Sequence, residues 1–115
     1  MRNAEIIIDH FIEFCAHYLQ LDTKPEVKVI DDANWSVENG TFGMYVPDQD
    51  MFTVNIHRRH TMDILRTVAH EMVHAKQRQE DVSSAPRAII EVQANRLGSM
   101  LIKVFGKKYP KYFAG

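Results

Sequence analysis

The sequence predicts an α+β fold, and three observations carry that expectation. Apolar residues recur at three- and four-residue steps in three separate stretches, the mark of amphipathic helices. Between the first and second of these, apolar residues alternate at two-residue steps in short runs, the mark of strands. The runs are punctuated by Asn39-Gly40 and by Pro47-Asp48-Gln49-Asp50, residue types that favour turns. The predicted order is helix, small antiparallel sheet of three or four strands, helix, helix.

The chain has 115 residues, the size of one domain spanning 1–115. Apolar residues make up 45% and charged residues 25%, ordinary values for a soluble globular protein. A domain this small buries a real but not generous core, so a bound metal would add useful stability. The formal net charge of −1 exerts no global pull toward nucleic acid or an anionic membrane. The longest aliphatic run, Ile6-Ile7-Ile8, is bracketed by Glu5 and Asp9, too short for a membrane span or a signal peptide. The single cysteine, Cys15, excludes an internal disulfide. Together these features point to a reducing, cytoplasmic setting. There is no internal repeat, low-complexity tract or long linker.

The first helix is predicted over residues 3–20, where Ile7, Ile8, Phe11, Ile12, Cys15, Tyr18 and Leu19 form the apolar stripe. His10 and His17 share another face and read as solvated. Pro25 ends the helical potential, and residues 27–30 (VKVI) read as a strand. Asn39-Gly40 predicts a type I′ hairpin turn, because both central positions need positive φ. Phe42, Met44 and Val46 then alternate on one side of a strand, and Phe52, Val54 and Ile56 on one side of the next. Thr61 is the predicted N-cap of a second helix over about residues 62–79, with Asp63 suited to its positive end. Residues 81–86 (DVSSAP) form a loop. Ser84 and Pro86 open a third helix that reaches Val104 or Phe105, with Gly106 as its stop. The tail, from about 106 to 115, is basic and aromatic.

The second helix carries His70, Glu71 and His74, the pattern H-E-x-x-H. Helix residues four apart differ by about 40° in direction and about 6 Å in rise. His70 and His74 therefore point the same way, and both rings can reach one ion at Zn–N distances of about 2.0–2.1 Å. Glu71 is the next residue around, placed to take a proton from water activated by that ion without being a ligand. Ile64, Leu65, Val68, Met72 and Ala75 form a separate core stripe, so the histidines need not be packing residues. Three fixed positions recur by chance, so a third ligand has to be found.

After His74 the chain has neither histidine nor cysteine, so a downstream ligand must be a carboxylate. Glu80 and Asp81 would lie about 9–10 Å along the axis from His74 on a continuing helix. Glu91, on the third helix, can return antiparallel to the motif. Ala94 and Gly98 lie on nearly the same side and would let two helices approach closely. Gly98 sacrifices about 1 kcal/mol of helix propensity relative to Ala, which a close crossing explains; packing against a bulky core residue is the competing explanation. Asn95 either accepts the free N–H of a metal-bound imidazole, His70 for preference, or is an ordinary exposed helix asparagine.

With these residues placed, the chain resembles a zinc metallopeptidase of the gluzincin kind, which has H-E-x-x-H on one helix and a glutamate ligand on a following one. Residues 91–102 (EVQANRLGSMLI) resemble the E-x-x-A-N helix of ImmA/IrrE-like peptidases. The order of elements is similar to the minimal zincin core those share with SprT-like proteins, whose third ligand is normally a histidine that this chain lacks. The resemblance covers about residues 25–102, and two short segments carry its specificity. It departs from the family in that little follows the Glu91 helix, so the usual second wall of the cleft is missing or supplied elsewhere.

The resemblance implies one zinc per chain and hydrolysis of peptide bonds in a specific intracellular protein. It assigns His70, His74 and Glu91 as ligands and Glu71 as general base. A substrate strand would add to an edge strand, for which residues 51–57 (MFTVNIH) are the candidate. Candidate oxyanion donors are His57 and Tyr109, with His60, Tyr45 and Tyr112 behind them; a structural or solvated role competes with each. The tail either folds over the cleft or is disordered. ImmA/IrrE-like chains often work beside a DNA-binding repressor, so a regulatory protein partner is compatible with the resemblance, and this chain has no recognisable helix-turn-helix of its own. The alternative reading is a zinc-binding, non-catalytic partner-binding protein of phage or bacterial origin. Nucleic-acid binding through Lys103, Lys107, Lys108 and Lys111 is disfavoured, because the cluster is local and the whole chain near neutral.

Overall fold

Ile8, Phe11, Ile12, Cys15 and Leu19 lie on one side of the first helix, and all are buried. That stripe packs the helix onto the rest of the chain and positions everything downstream. The fold is a computed structural model describing residues 2–81 and 85–113. Its elements are α1 (Arg2–Tyr18), β1 (Glu26–Ile30), α2 (Trp35–Asn39), β2 (Gly43–Val46), β3 (Met51–Asn55), α3 (Thr61–Gln79) and α4 (Arg87–Lys108). Short 3-10 turns cover Pro47–Gln49 and Pro110–Tyr112. The α+β class is as the periodicities predict. One core joins α1, β3, α3 and α4, with Phe11, Phe52, Leu65, Val68, Met72, Leu101 and Phe105 fully enclosed.

The sheet differs from the expected antiparallel arrangement. It has three strands in the order β1-β3-β2. β2 and β3 pair antiparallel, Val46 opposite Met51, across the tight Pro47–Asp50 turn. β1 and β3 pair parallel, Glu26 opposite Met51 and Ile30 opposite Asn55. A parallel pair needs a crossover, and residues 31–50 supply it, with α2 and β2 inside. The predicted hairpin at Asn39-Gly40 is absent for the same reason. Asn39 is the last residue of α2, and Gly40, at φ 67° and ψ 18°, is its left-handed C-cap, donating its N–H to the Ser36 carbonyl. A preference for positive φ serves a helix end as well as a hairpin.

The central place of β3 rules out residues 51–57 as an edge strand; β2 is the edge on the side of the motif helix. Phe52 and Val54 are buried as expected. Asn55, expected on a polar outer face, is buried too: its side chain bonds the Asp32 carbonyl and Ser36 hydroxyl and accepts from the Asp32 and His57 backbones. It ties the β1–α2 loop to the end of β3. On β2 the predicted face is reversed. Gly43 and Tyr45 pair with Val54 and Phe52 and so share the core side, while Phe42 and Met44 are exposed. Gly43 decides this. A Cβ there would lie 2.5 Å from Thr67 Cγ2 and 3.5 Å from Glu71 Cγ, so only glycine lets β2 run this close to α3.

The C-terminal segment packs onto α1 instead of over the cleft. α4 runs through Gly106 to Lys108, beyond the predicted stop. Tyr109, Tyr112 and Phe113 then pack against the core. His10 is not solvated as expected: its Nδ1 lies 2.6 Å from the Tyr112 hydroxyl, and its ring meets Phe105, Tyr109 and Tyr112 edge-on. Ser84, expected to open α4, lies outside the described residues; Pro86 is the N-cap. Among the described residues no helix is long and apolar enough to cross a membrane.

Candidate metal centre and cleft

Helix α3 presents two chemically different faces. Ile64, Leu65, Val68, Met72 and Ala75 are buried as its periodicity predicts. The N-cap is His60, whose ring accepts from the Met62 N–H at 3.4 Å, and not Thr61, which is already helical. His70 and His74 stand on the edge of the buried face, their side chains 29% and 20% exposed.

Helix α4 crosses α3 where both are small. A Cβ on Gly98 would sit in ordinary contact, 3.4 Å from Ala69 Cβ and 3.5 Å from the His70 backbone nitrogen, so the crossing is close and the neighbour is a small residue, not a bulky one. The crossing brings Glu91 over the two imidazoles. His70 Nε2 and His74 Nε2 are 3.0 Å apart. Glu91 Oε2 is 3.1 Å from His70 Nε2, and Glu91 Oε1 is 3.4 Å from His74 Nε2. A tetrahedral shell with bonds of about 2.0–2.1 Å has ligand-to-ligand edges of about 3.3–3.4 Å, so the trio has the spacing of three corners around a zinc-sized ion.

The outer nitrogens orient the rings. His70 Nδ1 lies 3.0 Å from Asn95 Oδ1, and His74 Nδ1 lies 2.8 Å from Gln77 Oε1. Both partners are acceptors, which places the proton on Nδ1 and aims each Nε2 lone pair at the common point. Two lone pairs and a carboxylate this close repel one another unless a cation or proton stands between them. The donor set fits zinc. Gln77 lies outside the H-E-x-x-H pattern. It is 3% exposed and spends its amide N–H groups on the Ile90 carbonyl and the Gln93 side chain, bracing α3 against α4. Its i+3 spacing from His74 is the signal that points to it.

Glu71 lies beside the trio and is 7% exposed. Its Oε2 is buried without a hydrogen-bond partner among the described residues. Burial pushes the carboxyl up to about 7, against the pull of His74 and with a smaller upward push from Glu91. A cleft of about 790 Å³ opens on these groups, walled by β2 from Gly43 to Tyr45, by α3 from His70 to Arg78, and by Arg87, Ile90 and Glu91. A side pocket of about 250 Å³ continues past Gly43 toward Phe42, Arg59, Asp63 and Arg66.

The expected oxyanion donors are placed elsewhere. His57 pairs with Asp31 at 2.6 Å beyond the end of β3, and Tyr109 packs on His10 and Phe105; neither lines the cleft. Sequence spacing put His57 near the motif, but the turn at Ile56–Arg59 directs it away. Tyr45 does line the cleft, although its hydroxyl is 2.7 Å from Asp50 Oδ1, and burial, helped by that carboxylate, raises its pKa. No family model, curated protein or solved structure matches the chain.

Proposed function

We propose that the chain is a zinc-dependent peptidase that cuts a specific intracellular protein in the cytoplasm. One observation carries this reading: the ligand atoms of His70, His74 and Glu91 converge within 4.8 Å of one another beside a buried, unpartnered carboxylate. A purely structural metal site has no use for that carboxylate, whose burial in charged form is costly. Zinc, when bound, supplies a Lewis acid for a carbonyl oxygen and makes water more acidic.

The chain's own residues do the rest. Asn95 and Gln77 hold the two rings in one tautomer and orientation. Glu71 accepts the proton of the attacking water and returns it to the leaving amine; a carboxyl with its proton affinity near neutrality suits both transfers. The free edge of β2 runs along the cleft and can hold an extended substrate backbone by strand addition. The walls of β2 and α4 limit access of bulk water to the carboxyl of Glu71.

The test is metal content and proteome-wide cleavage. The purified chain should carry about one zinc, and Glu71→Gln should keep the zinc while losing cleavage of the cellular substrate mapped by new N-termini. A chain that takes up no zinc refutes the proposal. A Glu71→Gln chain that fully supports the cellular function would favour the non-catalytic, partner-binding alternative.

A further inference from the structure

The arginines that line the cleft are not spread evenly along it. The described residues walling the cleft and its side pocket include four arginines (59, 66, 78 and 87) and four carboxylates, of which Glu71 and Glu91 belong to the metal centre and Asp63 and Asp81 do not. The arginines stand in two pairs, Arg59 and Arg66 in the side pocket and Arg78 and Arg87 at the other end of the cleft.

The side pocket is the more built of the two ends. The Arg59 guanidinium lies 4.1 Å over the Phe42 ring. It donates to two carbonyls, those of Asn55 at 3.3 Å and Asp63 at 2.9 Å. Neutral carbonyls position a guanidinium without neutralising it. Among the described residues no carboxylate pairs with Arg59 within ion-pair distance. Two of its five N–H groups are spoken for by the carbonyls, which leaves donors for another acceptor. Arg66 stands one turn into α3 on the same pocket, paired at 2.9 Å through one nitrogen with Asp63. Thr67, His70 and Glu71 close the pocket toward the metal centre, so a group held by Arg59 would be attached to a chain lying across the trio.

We propose that this pocket is a specificity site for a carboxylate of the substrate, and that the cleft selects acidic peptides. The inference rests on the peptidase reading for its biological meaning. Its physical content, carboxylate recognition by Arg59 and Arg66, is separate from zinc uptake and from cleavage. The carboxylate is either an acidic side chain near the scissile bond or the substrate's own C-terminus. Planar guanidinium groups suit both, because they offer paired N–H donors to paired oxygens.

The experiment measures binding to the wild-type chain held metal-free in chelator, so that no peptide is consumed and no metal competes for the carboxylate. The probes are acetyl-Ala-Ala-Glu-Ala-Ala-amide, the same peptide with Gln, and acetyl-penta-alanine with a free C-terminus. Backbone amide shifts of Thr41, Gly43 and Thr67 report occupancy of the pocket. At least one carboxylate probe should bind roughly tenfold tighter than the Gln peptide, the worth of a charge-assisted hydrogen bond at a half-exposed site. Whichever carboxylate probe binds tighter identifies the source.

The preference should fall to within about twofold in Arg59→Gln and in the charge-reversing Arg66→Glu. Arg66 is largely exposed, so its variant remains folded if Arg59→Gln does not. Equal binding of the Glu, Gln and free-C-terminus peptides overturns the proposal. So does a preference untouched by Arg66→Glu, or one seen only when zinc is added to the Glu71→Gln chain, which would put the carboxylate on the metal. Displacement of the Glu peptide by a single-stranded oligonucleotide at lower concentration would also overturn it, in favour of a phosphate-binding cleft. A chain that fails to take up zinc still passes or fails this binding test, so the two readings fail separately.

Discussion

Glu71→Gln in the metal-free chain isolates the energetic cost of the buried carboxylate. Burial is the main reason its pKa rises from an ordinary 4.5 to about 7. An acid whose pKa is higher in the folded state than in the unfolded one holds its proton more tightly when folded. Its contribution therefore favours the native state most below about 4.5, declines as pH rises, and levels off above about 7. At ~1.4 kcal/mol for each pH unit between those values, the full swing is about 3 kcal/mol. That is a large part of the ~5–15 kcal/mol by which domains of this size are stable. Glutamine has the same shape and does not titrate. The stability of the variant minus that of the wild type should thus climb by about 3 kcal/mol between pH 4.5 and pH 8. Carboxylates away from the trio titrate alike in both proteins and cancel in the difference. Urea denaturation followed by far-ultraviolet circular dichroism, in chelator at pH 4.5, 6 and 8, reads it directly. One equivalent of zinc at pH 8 should shrink the gap, because a nearby dication favours the carboxylate form. A difference that stays flat across this range would show that Glu71 is solvated in the folded chain, and the assignment of a buried base would fall with it.

The helix crossing makes a second prediction. Gly98→Ala should leave stability unchanged or raise it by up to about 1 kcal/mol, since a Cβ there meets only ordinary contacts and alanine is the better helix former, whereas Gly98→Val should cost about 2–3 kcal/mol by overpacking and weaken zinc binding by moving Glu91; a Val variant of wild-type stability, read by urea denaturation, would mean that the approach of α3 and α4 is set elsewhere. Gln77→Leu strips partners from His74 and from the Ile90 carbonyl, so it should cost about 1–3 kcal/mol and lower zinc affinity about 10–100-fold, measured by competition with a chromogenic chelator; undiminished affinity would leave His74 oriented by something else. Tyr112→Phe removes the bond to His10 at a cost of about 1 kcal/mol with no effect on zinc affinity, and a change in metal binding would contradict the placement of the tail away from the cleft.

Much of the fold is legible in local pattern. The stripe Phe11, Ile12, Cys15, Leu19 and the stripe Ile64, Leu65, Val68, Met72 are buried as their spacing predicts, and so is the alternation Phe52, Val54, Ile56. Each depends only on helix or strand period, which residues a few positions apart establish among themselves. The convergence of His70 and His74 is of the same kind, because one turn of helix brings them together. Glu91 was reachable by asking which carboxylate a returning helix would carry. The readings that failed lacked any local arbiter. Asn39-Gly40 demands positive φ, but a hairpin and a helix cap meet that demand equally well, and the length of the β1–β3 crossover is what selects the cap. The face of β2 turned on Gly43, whose want of a side chain matters only because Thr67 comes within reach from another element.

By itself, then, the order of residues determined the three long helices, the alternation along β3 and the paired imidazoles, since short-range geometry and burial of apolar stripes suffice for these. Tertiary structure alone decided the parallel pairing of β1, the bracing role of Gln77, the removal of His57 and Tyr109 from the cleft, and the gathering of arginines around it. Those depend on which distant segments meet, and that is fixed by how several half-apolar surfaces close on one another at once.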